Sequence, residues 1–148
     1  MAATNHAALI DFYNTYASTG AKAAVPATRI FKEGHIDVVE ATANWKGNFI
    51  IISCDDEPRA VTNSTPCGRY KSMVDIDIWT HNESPGKIVH DDIMAKWFDR
   101  SVVSMPHTFR NRRLEVMLFK SNTALPGDAE DNIWMHRVQF EMNNQITG

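Results

Sequence analysis

Asp75 and Asp77 stand two residues apart in an alternating stretch, and Glu115 lies in a second strand-forming stretch. Carboxylates placed in this way can hold Mg²⁺, which orients a water and neutralises charge while a phosphodiester is attacked. This is the sharpest catalytic arrangement in the chain. Against it, Asp75-Ile76-Asp77-Ile78 is the ordinary pattern of a half-exposed strand. The residue two beyond Glu115 is Met117, so the Glu-x-Lys arrangement common to nuclease sites is missing. A Mg²⁺-dependent nuclease using Asp75, Asp77 and Glu115 is kept as the weaker alternative to a structural reading of the same residues.

Other chemistries find less support. The chain has six histidines, His6, His35, His81, His90, His107 and His136, and two cysteines, Cys54 and Cys67. None forms a His-x-x-x-His or Cys-x-x-Cys pair, whereas zinc needs three or four donors at about 2.0–2.3 Å. His136 sits on the apolar side of a strand pattern and is expected as a hydrogen-bonded core histidine. There is no Gly-x-Ser-x-Gly elbow and no glycine-rich phosphate loop, and neither cysteine has a local partner that would activate it. Trp45, Trp79, Trp97 and Trp134 lack the interleaved basic residues of a base-stacking platform and read as core or interface anchors. The expected catalytic, cofactor-binding and metal-binding sets are all empty, with no cofactor and no enzymatic activity.

The elements that would position such residues fit one domain spanning 1–148. The 148 residues, 43% apolar and 22% charged, are ordinary for a single globular core. A net charge of −3 offers no general attraction to nucleic acid or to an anionic membrane. The one dense cationic run, Arg110, Arg112 and Arg113, is expected on a solvated face or an interface rim. Asn5, His6 and Asp11 interrupt any leader-like apolar run and no stretch approaches a membrane span, so a reducing cytoplasm and reduced cysteines are expected.

Leu9, Phe12, Tyr13 and Tyr16 predict a helix over Asn5 to Tyr16 capped by Thr4 or Asn5. From Ala17 to Lys46 the pattern weakens. Arg29-Ile30-Phe31 and Ile36 to Val39 could form a hairpin, and a helix over Val38 to Asn44 is an open alternative. Strands are predicted at Asn48 to Ser53, Tyr70 to Thr80, Leu114 to Phe119 and Ile133 to Met142. A helix over Lys87 to Arg100 is expected to start at Ser84 and Pro85 and to bury Val89, Ile93 and Trp97. Asp55 to Arg69 and Ser121 to Asn132 are read as exposed loops, the first of them functional. The fold class is therefore α+β, a largely antiparallel four-stranded sheet with two helices packed on one face. Alternation puts Val74, Ile76, Ile78, Val138 and Phe140 under the helices. Asp75, Asp77, Arg137, Gln139 and Glu141 then share the other face, too polar to be a second core.

The order of these elements carries a family likeness. Met73 to Thr80 runs through a Pro-Gly turn into the helix Lys87 to Arg100, followed by Leu114 to Phe119, a Pro-Gly-Asp loop and the closing strand Trp134 to Met142. In this pattern the stretch from Lys46 to Asn144 resembles the tail-terminator and tail-completion proteins of long-tailed bacteriophages. The resemblance implies a homohexameric ring that caps the tail tube, stops its elongation and meets the head-tail connector. It also implies a virion location at the head-proximal end of the tail, after assembly in the host cytoplasm. The partners would be further copies of the chain, the tail tube protein and a connector or neck protein, with no membrane and no specific nucleic-acid recognition. A head-completion or neck role needs the same ring and no chemistry, and stays open. So does a monomeric binding module gripping a peptide or polysaccharide with Asp55 to Arg69. A ring former needs exposed apolar side chains and long loops, for which Trp79, Met117, Phe119 and Met135 are the strand candidates.

Overall fold

Helix α1, Asn5–Tyr16, begins where the sequence predicts, with the Thr4 hydroxyl accepting the Ala7 amide. The computed structural model describes residues 3–54, 69–128 and 130–147. Leu9, Phe12 and Tyr13 are buried against the sheet. The Ala-rich connector is helical in part: α2, Thr19–Ala24, starts on the Ser18 hydroxyl. The Tyr13 hydroxyl lies 3.1 Å from the Ala21 carbonyl and donates to that of Val25 at 2.7 Å, which ties α1 to α2. Burial there raises its pKa.

The chain then passes a 3-10 turn, Ala27–Arg29, into β1, Ile30–Lys32, and α3, Val38–Ala43, whose N-terminus is capped by Asp37. The remaining elements are β2 (Phe49–Cys54), β3 (Arg69–His81), α4 (Glu83–Lys96), β4 (His107–Phe109), β5 (Arg112–Asp128) and β6 (Ile133–Ile146). They form one six-stranded sheet in the order β1-β2-β3-β6-β5-β4, with β1 parallel to β2 and every other pair antiparallel. Among the described residues no helix is long and apolar enough to cross a membrane.

This corrects the expected four-stranded, largely antiparallel sheet with two helices on one face. Among the described residues the sheet is mixed and has six strands, and four α-helices pack on its two faces. The two added strands, β1 and β4, are three residues each, too short to show a period. The segment from 29 to 39 is not a hairpin, because the chain leaves β1 through α3 and returns in the same direction as β2. Helices α1, α2 and α4 cover the inner face, where Val74, Ile76, Ile78, Val138 and Phe140 are buried as expected. Helix α3 covers the β1–β2 end of the outer face, burying Ala41, Phe49 and Ile51 with Trp79 packed against them. The outer face therefore does hold a small second core, which explains the unbroken apolar run of β2, buried on both sides.

Other boundaries also move, α4 ending at Lys96 short of Arg100 and β6 running on to Ile146. Helix α4 starts at Glu83, so Ser84 and Pro85 lie inside its first turn, and Asn82 before it sits at φ 69° without a side-chain cap. Residues Ser121 to Asp128, expected as loop, extend β5 and pair with β6. Pro126 and Gly127 are tolerated there because that part of β5 is an edge with no strand on its other side among the described residues.

Candidate interaction face

Alternation along β3, β6 and β5 sorts the outer face into rows that cross the sheet. In one row the Arg137 guanidinium clamps Asp77 through two bonds, Nε to Oδ1 at 2.7 Å and Nη2 to Oδ2 at 2.9 Å. In the next, Gln139 donates to Asp75 at 3.0 Å and accepts from Ser121 at 2.6 Å. Beyond it Glu141 lies between Lys71 at 2.7 Å and Lys120 at 3.7 Å, flanked by the half-exposed side chains of Met73 and Leu118. On the opposite side of the Asp77 row, Trp79, Met135 and Leu125 form an apolar row. Each of these carboxylates has a partner: Asp77 an arginine, Glu141 two lysines and Asp75 the neutral Gln139 amide.

The three carboxylates of the nuclease reading do not converge. Glu115 falls at a bulge in β5 beside Asn143 and Asn144 and faces Arg69 at 4.0 Å. Asp75 is opposite Gln139, so it is four residues further along β6 and one strand beyond it, roughly 13 Å away along the strand direction alone. Among the described residues no three His, Cys, Asp or Glu side chains are grouped to hold a metal ion.

Other sequence candidates are scattered. Arg112 is buried rather than solvated, donating to the Ala3 carbonyl at 2.9 Å and the Asn144 side chain at 3.0 Å. Arg110 is exposed and lies over the Phe109 ring at 5.0 Å. Met117 belongs to the inner core, while Phe119 is half-exposed and packs on Phe98 with ring centroids 5.5 Å apart. The predicted functional loop lies outside the described residues from 55 to 68, and Cys67 with it; Cys54 ends β2 half-buried.

His136 is a core histidine, but its Nδ1 has no hydrogen-bond partner among the described residues. A Cβ at Gly86 would come within 2.7 Å of that nitrogen and 2.6 Å of the Thr80 hydroxyl, so α4 reaches the sheet where only glycine fits. Burial lowers the His136 pKa, and the neighbouring His90 and Lys87 reinforce the shift against the opposing pull of Glu83 and Asp91. The unfolded chain thus takes up this proton more readily than the folded one. The contribution is complete above the ordinary histidine range and is lost as pH falls below about 6.5. Denaturation midpoints measured at about pH 7.5 and 5.5 are expected to fall less in His136→Gln than in the parent chain. An equal fall would show that other groups carry the acid sensitivity.

No protein-family model matches the sequence, and no curated protein matches it. Solved structures do. A chain of the structure described as "Virion of native gene transfer agent (GTA) particle" superposes with a TM-score of 0.58 at 14% identity, covering 96% of this chain and 95% of that one. The fold is similar to that of a virion chain. The likeness covers more of the chain than the element pattern from Lys46 to Asn144.

The ladder of matched side chains on the outer face was legible in part, since alternation places Asp75, Asp77, Arg137, Gln139 and Glu141 together. Which carboxylate meets which partner depends on the β3–β6 register, which leaves no mark in local sequence. The apolar row ending at Leu125 was missed, because that residue lay in a stretch read as loop.

Proposed function

We propose that this chain is a structural subunit of a phage-like virion, a tail terminator whose ring caps the tail tube, stops elongation and offers the surface for head joining. The observation that carries this reading is the full-length fold likeness to a chain of a gene transfer agent virion. The outer face agrees with it. Its carboxylates are engaged in ion pairs and hydrogen bonds, an arrangement suited to contact with other chains and unsuited to activating a water. The partners would be copies of the chain in a homohexamer, the tail tube below and the connector above, with no cofactor and no catalytic residue.

Adding the purified protein to tail tubes that lack their cap tests the proposal by electron microscopy. Tubes are expected to stop growing and to carry one ring at a single end. Continued elongation, with binding only to capsid connectors, would replace the terminator role by the neck role.

A further inference from the structure

Among the described residues the two ends of the sheet are unlike, and both are open. At one end β1 pairs, among the described residues, only with β2. At the other, β4 covers only Arg112, Arg113 and Leu114, leaving the rest of β5 without a strand on that side among the described residues. An open edge presents backbone donors and acceptors to any strand that can pair with it, and proteins usually blunt it with charge, bulges or proline. β5 is blunted in this way at the register shifts near Glu115, Lys120 and Gly127 and at Pro126. Two uncharged stretches between them keep unbroken register with β6, Val116 to Phe119 and Ser121 to Leu125. The longer of them, Ser121 to Leu125, pairs with Gln139 to Met135 and ends at the exposed Leu125.

We infer that this edge segment pairs with β1 of a second copy of the chain, and that the repeated β1–β5 contact is the joint between neighbouring subunits; the inference rests on the ring reading above. Three observations choose the occupant. First, an apolar row crosses the outer face from edge to edge: Phe31 meets Phe49 with ring centroids 6.5 Å apart, Phe49 stacks on Trp79 at 6.2 Å, Trp79 pairs with Met135, and Met135 pairs with Leu125. Leu125, 50% exposed, ends the row in the open, and Phe31 of a neighbour would continue it. Second, β1 is three residues long and fits within the five-residue segment. Third, the strand directions agree. Counting from β1 through β2, β3 and β6, β5 runs opposite to β1. A copy placed alongside in the same orientation therefore brings β1 antiparallel to β5. Because the two edges differ, the contact is head-to-tail, the kind that closes into a ring when the rotation permits.

The test uses the full chain with Cys54→Ser and Cys67→Ser, into which Lys32→Cys and Ala124→Cys are placed singly and together. Both residues are exposed and outside the core, on the strand face turned away from Phe31 and Leu125. A short bismaleimide is expected to convert the double variant into a ladder ending at one closed species. A mixture of the two single variants should give dimers, and neither single variant alone should. Dimers from Ala124→Cys alone would mean a symmetric β5–β5 joint and overturn the proposal. Rings visible by negative stain that yield no ladder would overturn it while leaving the ring reading intact. A chain that stays monomeric even beside tail tubes would sink both. As a second variant, Leu125→Lys is expected to weaken self-association about ten-fold or more, with the monomer's melting temperature unchanged. Unweakened assembly in Leu125→Lys would remove this edge from the joint.

Discussion

Ile76→Ala is expected to lower stability by roughly 2–5 kcal/mol, while Asp77→Ala, the next residue, costs less than about 1 kcal/mol. Ile76 lies in the middle of the sheet, paired with Ile52 on one side and Val138 on the other, and is 1% exposed beneath the helices. Truncation removes several methyl groups from close-packed surroundings and leaves a void that the neighbouring strands cannot close without breaking register. Asp77 faces the other way, and its loss frees an arginine whose side chain is already 40% exposed, so water takes over the guanidinium. Glu141→Ala should behave like Asp77→Ala, since Lys71 and Lys120 are both half-exposed. Urea denaturation of the three variants measures the contrast. Similar losses for Ile76→Ala and Asp77→Ala would contradict the assignment of these residues to opposite faces.

That contrast could be drawn from sequence because β3 and β6 are long strands with one face buried for most of their length, the condition under which period 2 survives. Helix α1 was legible to the residue for a similar reason, an apolar stripe behind a hydroxyl cap. Legibility failed where burial and periodicity part company. β2 is buried on both faces, so it shows a run and not an alternation. The far half of β5 is exposed on both faces and beside an open edge, so Ser121 to Asp128 shows no apolar pattern at all and Leu125-Pro126-Gly127 looks like a turn. β1 owes its place to a parallel pairing across α3, and no local preference of Ile30-Phe31-Lys32 specifies it. The interaction face was visible as a set of residues, but its ion pairs and its continuous apolar row exist only once β3, β6 and β5 are in register.

Arg112 is the case in which sequence pattern pointed the wrong way, and it supplies the second large effect. One of three arginines in four positions, it reads as surface charge, yet it is 3% exposed. Its guanidinium joins the carbonyl of Ala3, just before α1, to Asn144 on β6. Asn144 in turn donates to the Ser72 hydroxyl at 3.0 Å, which also accepts from Asn5 in the first turn of α1 at 3.3 Å. The network thus fastens the start of the helix to three strands at once. Arg112→Ala would strand the Asn144 side-chain oxygen in a buried setting, at about 1–3 kcal/mol, and take the bond from the part-buried Ala3 carbonyl, which water can partly replace. A total loss of about 2 kcal/mol or more follows. Arg112→Lys should recover only part of it, because a single ammonium cannot reproduce the fixed fork that reaches both acceptors. Hydrogen exchange distinguishes this from a general softening. The amides of α1 are expected to lose protection first and those of β3 and β6 only with global unfolding. An Arg112→Ala chain within about 0.5 kcal/mol of the parent, with α1 still protected, would show that the network is dispensable.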